Sequence, residues 1–207
     1  MIVLPSRGRA ASLQQFFDVS RPSVRGVVML DDDDAHNYKD VTIPDHWLVT
    51  IGPRVGYVAM LNEALRRYPD EPFYAYGGDD VRCTTPAWDT RLSESAGQWS
   101  IAYGDDGING EATCCLPFLG GSLVRAVGWL AYPALSHLFC DTVWRDIGRA
   151  IGALRYHRDV KTEHLHWSTG KMAMDRTAKE RKTQGDSLAY QDFITHHLSS
   201  TVARCTV

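Results

Sequence analysis

Phe73-Tyr74-Ala75-Tyr76-Gly77-Gly78-Asp79-Asp80-Val81 is an apolar run that stops at two glycines and two adjacent carboxylates. A strand covered on both faces has no use for an unpaired carboxylate pair in its middle, whereas its C-terminal tip in an open α/β sheet is where ligands bind. Two carboxylates about 3 Å apart repel unless a cation or a shared proton lies between them. The run therefore reads as a buried strand that delivers Asp79 and Asp80 to a cleft. The competing reading is a plain turn, since Gly and Asp are turn formers.

On either side of this strand the pattern alternates strand and helix, as a parallel sheet with crossover helices requires. Met1 to Leu4 is a short apolar run stopped by Pro5, and Ser12 is placed to cap a helix carrying Leu13, Phe16 and Phe17. Gly26 to Leu30 and Trp47 to Ile51 read as two further strands, and Val55 to Tyr68 has the helical period at Val58, Leu61 and Leu65. Beyond Asp80 the expected elements are a helix over 86–95, strands over 100–103 and 117–119, helices over 123–130 and 141–154, and a strand over 156–160 leading into Glu163-His164-Leu165-His166. From Lys171 onward the chain reads as helical and polar. The fold class is thus α/β: one Rossmann-like domain with a mostly parallel central sheet flanked by helices and a helical C-terminal tail.

Composition fits this frame. The 207 residues are 44% hydrophobic and 23% charged, ordinary for a globular chain with one large core. No apolar stretch reaches the about 18 residues that a membrane-spanning helix needs, and the N-terminus enters a strand at once, so no membrane partner and a cytoplasmic location are expected. Five cysteines, none in a C-x-x-C pair, argue for reduced thiols, with Cys114 and Cys115 as small buried apolar residues. A net charge of −3 gives no global signal for nucleic acid, but Lys171 to Lys182 carries a local basic surplus.

Three strands end in polar clusters: Pro5-Ser6-Arg7-Gly8-Arg9, Asp31 to Asp34, and Gly78-Asp79-Asp80. In a parallel sheet these tips share one edge. Guanidinium forks bind phosphate oxygens, and an acid after the second strand suits ribose hydroxyls or a base N–H. Asp33 and Asp34 read as a solvated turn. Trp88, Trp129 and Trp144 are read as core or as stacking surfaces for a sugar or base, and His196-His197 as surface.

The ordered series of a Pro-Ser-Arg-Gly-Arg loop, a strand ending in Asp31-Asp32, a helix holding Asn62-Glu63-Ala64-Leu65 and a strand ending in Gly78-Asp79-Asp80 resembles GT-A type, family-2-like nucleotide-sugar glycosyltransferases. Phe118 to Arg125 with Val127 to Leu130 resembles their acceptor-side segment. Phe139 to Trp144 is similar to the helix start that supplies the catalytic base, and Arg158 to His166 to the late strand with its metal-binding histidine. The resemblance implies a GT-A domain over residues 1–170, with a nucleotide-sugar half over 1–100 and an acceptor half over 101–170, followed by a tail over 171–207.

It further implies a donor, a UDP-sugar by preference, held by Asp31 or Asp32 at the base or ribose and by Arg7 or Arg9 near the diphosphate. Pro5, Asn62, Gly78 and Asp79 complete the donor's surroundings. Asp79 and Asp80, with His164 or His166, would hold Mn²⁺ or Mg²⁺. The sequence departs from the family at Gly77, where the first Asp of its Asp-x-Asp motif is common. Asp141 is the implied general base, giving inversion, although an Asp before an apolar-periodic helix is also a natural N-cap. His164 and His166, two apart in a strand, share one face.

Two rivals remain. A nucleotidyltransferase would want a glycine-rich loop with a lysine after the first strand, and Pro5 to Arg9 has one glycine and no lysine. A degenerate nucleotide-binding module is favoured only by Gly77. The acceptor is open: the loop over 104–117 suits closure over a substrate. The basic segment Lys171 to Lys182 would suit nucleic acid, for example a hydroxylated base flipped from DNA, and the chain's compactness resembles virus-encoded (phage) enzymes.

Overall fold

Successive residues of the first strand point to opposite faces, so a run that is apolar throughout must be covered twice. In the computed structural model, which describes residues 1–165, 170 and 183–205, this is what happens. Ile2 and Leu4 enter one hydrophobic cluster and Val3 the other.

Strand β1 (Ile2–Ser6) pairs in parallel with β2 (Gly26–Asp31) on one side and β4 (Phe73–Tyr76) on the other, and β3 (Trp47–Gly52) adds to β2, also in parallel. Antiparallel β7 (Phe118–Gly120) joins β4 to β6 (Ile101–Asp105), and β8 (Leu154–His164) runs parallel to β6. The short β5 (Val81–Cys83) pairs antiparallel with the far half of β8, giving the order β3-β2-β1-β4-β7-β6-β8-β5. The chain leaves β1 toward β2 and β3, then returns across the sheet to β4. The reversal puts a crevice outside the C-terminal ends of β1 and β4, the position where open α/β sheets bind ligands.

Helices α1 (Ala10–Ser20) and α3 (Trp88–Ala96) cover one face, where Phe16, Phe17, Trp47 and Trp88 meet edge to face. The other face is covered by α2 (Tyr57–Arg67), α4 (Gly121–Val127) and α5 (Cys140–Ala150), with Leu61, Leu123, Val143, Trp144 and Ile147 in the core. Trp88 and Trp144 are thus core residues rather than stacking surfaces.

Several boundaries differ from expectation for identifiable reasons. Ser12 does not cap α1: Arg9 occupies that position, and the Ser12 hydroxyl donates to the Asp79 carbonyl at 2.8 Å instead. Gly128, at φ 88°, ends α4 three residues early, and α5 stops at Ala150, before Gly152 with its φ of 66°. The strand expected over 156–160 is one continuous β8. A register shift at Gly104/Asp105 lets its second half leave β6 for β5.

The C-terminal helices are not merely polar. α6 (Thr183–Asp192) and α7 (Leu198–Cys205) flank a π-helical turn, Phe193–His197, in which Phe193 is fully buried beside Trp129 and Tyr132. His196 and His197 are exposed, as expected. No described helix is long and apolar enough to cross a membrane.

Candidate functional site

A cleft of about 1170 Å³ opens at the β1–β4 crevice. Pro5, Arg7, Arg9, Asp31, Asn62, Gly78, Asp79, Asp80, Asp141 and His164 all line it, so most of the expected site residues come together from separate elements. Asp32 does not line it and is exposed. His166 and the basic segment over 171–182 lie outside the described residues.

At the β2 tip, Arg7 donates to Asp31 at 2.8 Å and forks onto Asp33, with Nη2 2.9 Å from Oδ2. Asp31 is buried, and its Oδ1 has no hydrogen-bond partner among the described residues. Burial raises the Asp31 pKa despite Arg7, whereas the Arg7 hydrogen bond lowers that of the exposed Asp33. Asp34 is not a solvated turn residue: it is buried and accepts from the Gly8 amide at 2.6 Å and from Asn37 at 2.8 Å. The Arg7-Gly8-Arg9 loop is therefore clamped to the β2 tip by three carboxylates.

At the β4 tip, side chains approach Gly77 and Gly78 closely. A Cβ on Gly78 would lie 2.3 Å from Asp80 Oδ1, and one on Gly77 would lie 2.5 Å from Leu116 Cδ1. Leu116, itself at φ 49°, fills the space that a longer side chain at position 77 would need.

Asp79 and Asp80 are both buried, and Arg9 Nη1 bridges them at 3.2 and 2.9 Å. Ser6 donates to the other Asp79 oxygen, and His164 Nε2 lies 3.5 Å from the other Asp80 oxygen. The β5–β8 ladder sets Val81 opposite His164, and the Leu165 amide donates to the Asp80 carbonyl at 2.8 Å, which brings this imidazole to the pair.

Arg82 donates to the Asp79 carbonyl at 2.8 Å and to Gln15 at 3.0 Å, holding the strand tip against α1. Burial lifts the Asp79 carboxyl to about 6. Burial pushes Asp80 in the same direction, but His164 and Arg9 outweigh it and hold Asp80 below the usual carboxylate range. Burial disfavours the His164 imidazolium, yet Asp80 outweighs it and raises the pKa.

On the far wall, Asp141 is the second residue of α5 and not its N-cap, a position taken by Phe139 at φ 66°. Its Oδ1 accepts from the Thr142 amide at 2.7 Å, and the Cys115 thiol lies 3.8 Å from Oδ2. Burial raises the Asp141 pKa. Cys115 is thus half-exposed at the cleft, unlike the fully buried Cys114.

Asn62, expected to touch the donor, spends its amide on the backbone: Oδ1 accepts from Leu130 and Ala131, and Nδ2 donates to the Ala131 carbonyl. Within the loop after β6, the buried Asp106 carboxylate accepts from the amides of Ile108, Asn109 and Gly110. Within 104–117 only Cys115, Leu116 and Pro117 reach the cleft.

The sequence gives no signal for the Ser6 bond to Asp79, for Arg82, or for the Tyr57–His137 ring contact (4.9 Å) on the wall beside Asp141. Tyr57 follows Gly56, whose φ of 90° starts α2, but nothing in its local sequence separates it from a core tyrosine.

No protein-family model and no curated protein matches the sequence. Solved structures do. A mannosyltransferase from Pyrobaculum calidifontis, in complex with GDP-Man and Mn²⁺, superposes with a TM-score of 0.60 at 11% identity over 99% of this chain and 72% of its own. Glucosyl-3-phosphoglycerate synthase from Mycobacterium tuberculosis, in complex with Mn²⁺, UDP and phosphoglyceric acid, gives 0.55 at 13% identity over 100% and 78%. S. aureus TarS 1-349 in complex with UDP gives 0.56 at 10% over 78% and 58%.

The chain has the GT-A fold. At these identities the likeness concerns the fold alone.

A divalent cation fits this cleft poorly. Asp79, Asp80 and His164 have suitable donor atoms for Mn²⁺, but no three His, Cys, Asp or Glu side chains converge on a common point among the described residues. Of the expected set, Asp79, Asp80 and His164 do not converge on one point and His166 lies outside the described residues, while the Arg9 guanidinium lies between the two carboxylates.

Proposed function

We propose that this protein is a glycosyltransferase that takes a nucleoside-diphosphate sugar in the β1–β4 crevice and moves the sugar to an acceptor hydroxyl. The observation that carries the reading is the convergence on one cleft of Arg7 with Asp31, Arg9 with Asp79 and Asp80, His164 and Asp141, supplied by five different segments of a GT-A fold.

Asp31 holds the base or ribose: its Oδ1 is a buried acceptor with no described partner, and such an oxygen is costly to leave unpaired. Arg7 orients that carboxylate. The diphosphate lies against the positive charge of Arg9, where a preorganised guanidinium stabilises the leaving group as the anomeric C–O bond breaks and its electron pair passes to the phosphate oxygen. Asp141 takes the acceptor's hydroxyl proton as the new C–O bond forms, and its raised pKa makes it a stronger base than an ordinary carboxylate. Attack from the Asp141 wall, away from the leaving group, gives inversion. The Tyr57, His137 and Trp129 rings on that wall offer a surface for the acceptor.

UDP-sugars are the first donors to test, because UDP is present in two of the structural neighbours and GDP-mannose in one. The expectation of a nucleic-acid acceptor rested on residues 171–182 and has no support among the described ones. The test is the melting temperature against a panel of sugar nucleotides. One donor in hundredfold excess over its Kd stabilises by about 2.7 kcal/mol, and the shift disappears in Asp31→Ala. No shift with any donor overturns the reading.

A further inference from the structure

The cation at the paired carboxylates is part of the chain. Arg9 Nη1 lies 3.2 Å from Asp79 Oδ1 and 2.9 Å from Asp80 Oδ2, and its side chain is only 12% exposed. The remaining two oxygens are also engaged, Asp79 Oδ2 by the Ser6 hydroxyl and Asp80 Oδ1 by His164. A divalent ion binding both carboxylates would therefore compete with the Arg9 guanidinium that bridges them.

Among the described residues, no third carboxylate joins Asp79 and Asp80 at a common point. Position 77 is glycine, and Leu116 fills the space over it, so a third carboxylate at this strand tip would have to displace packed leucine. A divalent ion entering here would meet a guanidinium at hydrogen-bond range from both of its ligands, and like charges at that separation in a partly buried site repel strongly.

We propose that Arg9 replaces the divalent cation, so that the donor's diphosphate meets the Arg9 guanidinium and binds without a metal. Arg9 is held for this task. Its own backbone begins α1, the Gly8 amide before it is clamped by Asp34, and its Nη1 is held by the two carboxylates. A guanidinium presents planar paired donors to phosphate oxygens and cannot lose its charge, whereas a metal at the same place would be exchangeable. The proposal rests on the nucleoside-diphosphate reading above and deepens it.

The test is calorimetric binding of UDP and of GDP to the whole protein in excess EDTA and in excess Mn²⁺, with Mn²⁺ electron paramagnetic resonance on the nucleotide-free protein alongside. In the wild type, the nucleotide that binds does so with the same Kd in EDTA and in Mn²⁺, and the free protein takes up no stoichiometric Mn²⁺. Arg9→Gln weakens binding in EDTA at least about tenfold, the scale of one lost charge-assisted hydrogen bond. The same variant gains a Mn²⁺ signal, and Mn²⁺ restores its nucleotide affinity.

A wild type that binds nucleotide about tenfold tighter with Mn²⁺ than with EDTA overturns the Arg9 assignment while leaving the transferase reading intact. A wild type that binds neither nucleotide in either condition overturns both. The wild-type comparison decides the question even if Arg9→Gln does not fold.

Discussion

Replacing Asp186 with asparagine should unfasten the C-terminal helices from the cleft wall. The Asp186 carboxylate, 2% exposed at the start of α6, accepts from the Ser136 amide at 2.7 Å, the Ser136 hydroxyl at 2.9 Å, the His137 amide at 3.0 Å and the Leu138 amide at 2.7 Å. Asparagine is nearly isosteric, but it removes the charge and turns an NH₂ group toward amides that are themselves donors. Deleting one hydrogen bond to a charged group removes about 1.5–3 kcal/mol, and the four here act as a unit, so we expect a total loss of about 3 kcal/mol. For a chain of this size that lowers Tm by about 6–12 °C.

The sign of the pH dependence follows from the same contacts. Burial pushes the Asp186 pKa up, but the backbone donors outweigh it and hold it below the usual carboxylate range. The carboxylate's contribution is then fully present above the unfolded-state value of about 3.9 and is lost as pH falls through the lower folded-state value. The wild-type advantage over Asp186→Asn should therefore be flat at neutral pH and shrink in acid. Thermal melts by circular dichroism across pH 3 to 7 read both quantities on the order of a degree. A variant that melts within about 2 °C of wild type at pH 7 would refute the reasoning, because the carboxylate would then not be anchoring 136–138.

Other consequences are testable in the same way. Gly78→Ala places a Cβ 2.3 Å from Asp80 Oδ1, so the strand tip or the carboxylate must move; we expect a stability loss of about 1–3 kcal/mol together with lost nucleotide binding, and unchanged binding would show the tip to be more yielding than its packing indicates. Asp141→Asn should retain donor affinity and lose sugar transfer by about 10²–10⁴-fold, and the wild-type rate should fall with acid at a higher pH than an ordinary carboxylate gives, since burial raises this group's pKa. A variant with near wild-type turnover removes Asp141 from the role of base. Phe193→Ala empties a fully buried site between Trp129 and Tyr132 and should cost about 3–5 kcal/mol in urea unfolding, and a loss below about 1 kcal/mol would mean that the π-helical turn is not part of the core.

The acidic and basic tips were legible because strand ends are local events. An apolar run bounded by Pro5, by the Asp31 group or by Gly77-Gly78 marks its own terminus, and parallel strands must present their tips on one edge. The three-residue β5 was not legible: Val81–Cys83 is a strand only because it pairs with Thr162–His164, about 80 residues away. Asn62 shows the opposite error. A polar side chain on a helix beside the cleft looked like a ligand contact, yet it holds the backbone at 130–131, and a long-range side-chain-to-backbone bond leaves no trace in either local sequence.

Sequence by itself determined the layered α/β architecture, the four parallel strands that carry the site, and which charged residues stand at their ends, because hydrophobic period and breaker residues act over a few positions. Only the tertiary structure decided who pairs with whom. Arg9 bridges Asp79 and Asp80 across 70 and 71 residues, Arg7 takes Asp31 and Asp33, Asp34 clamps Gly8, and Asp186 fastens the wall beside Asp141. A carboxylate carries the same chemistry in any sequence context, and the cation or amide that satisfies it is whichever one the folded chain brings within hydrogen-bond reach.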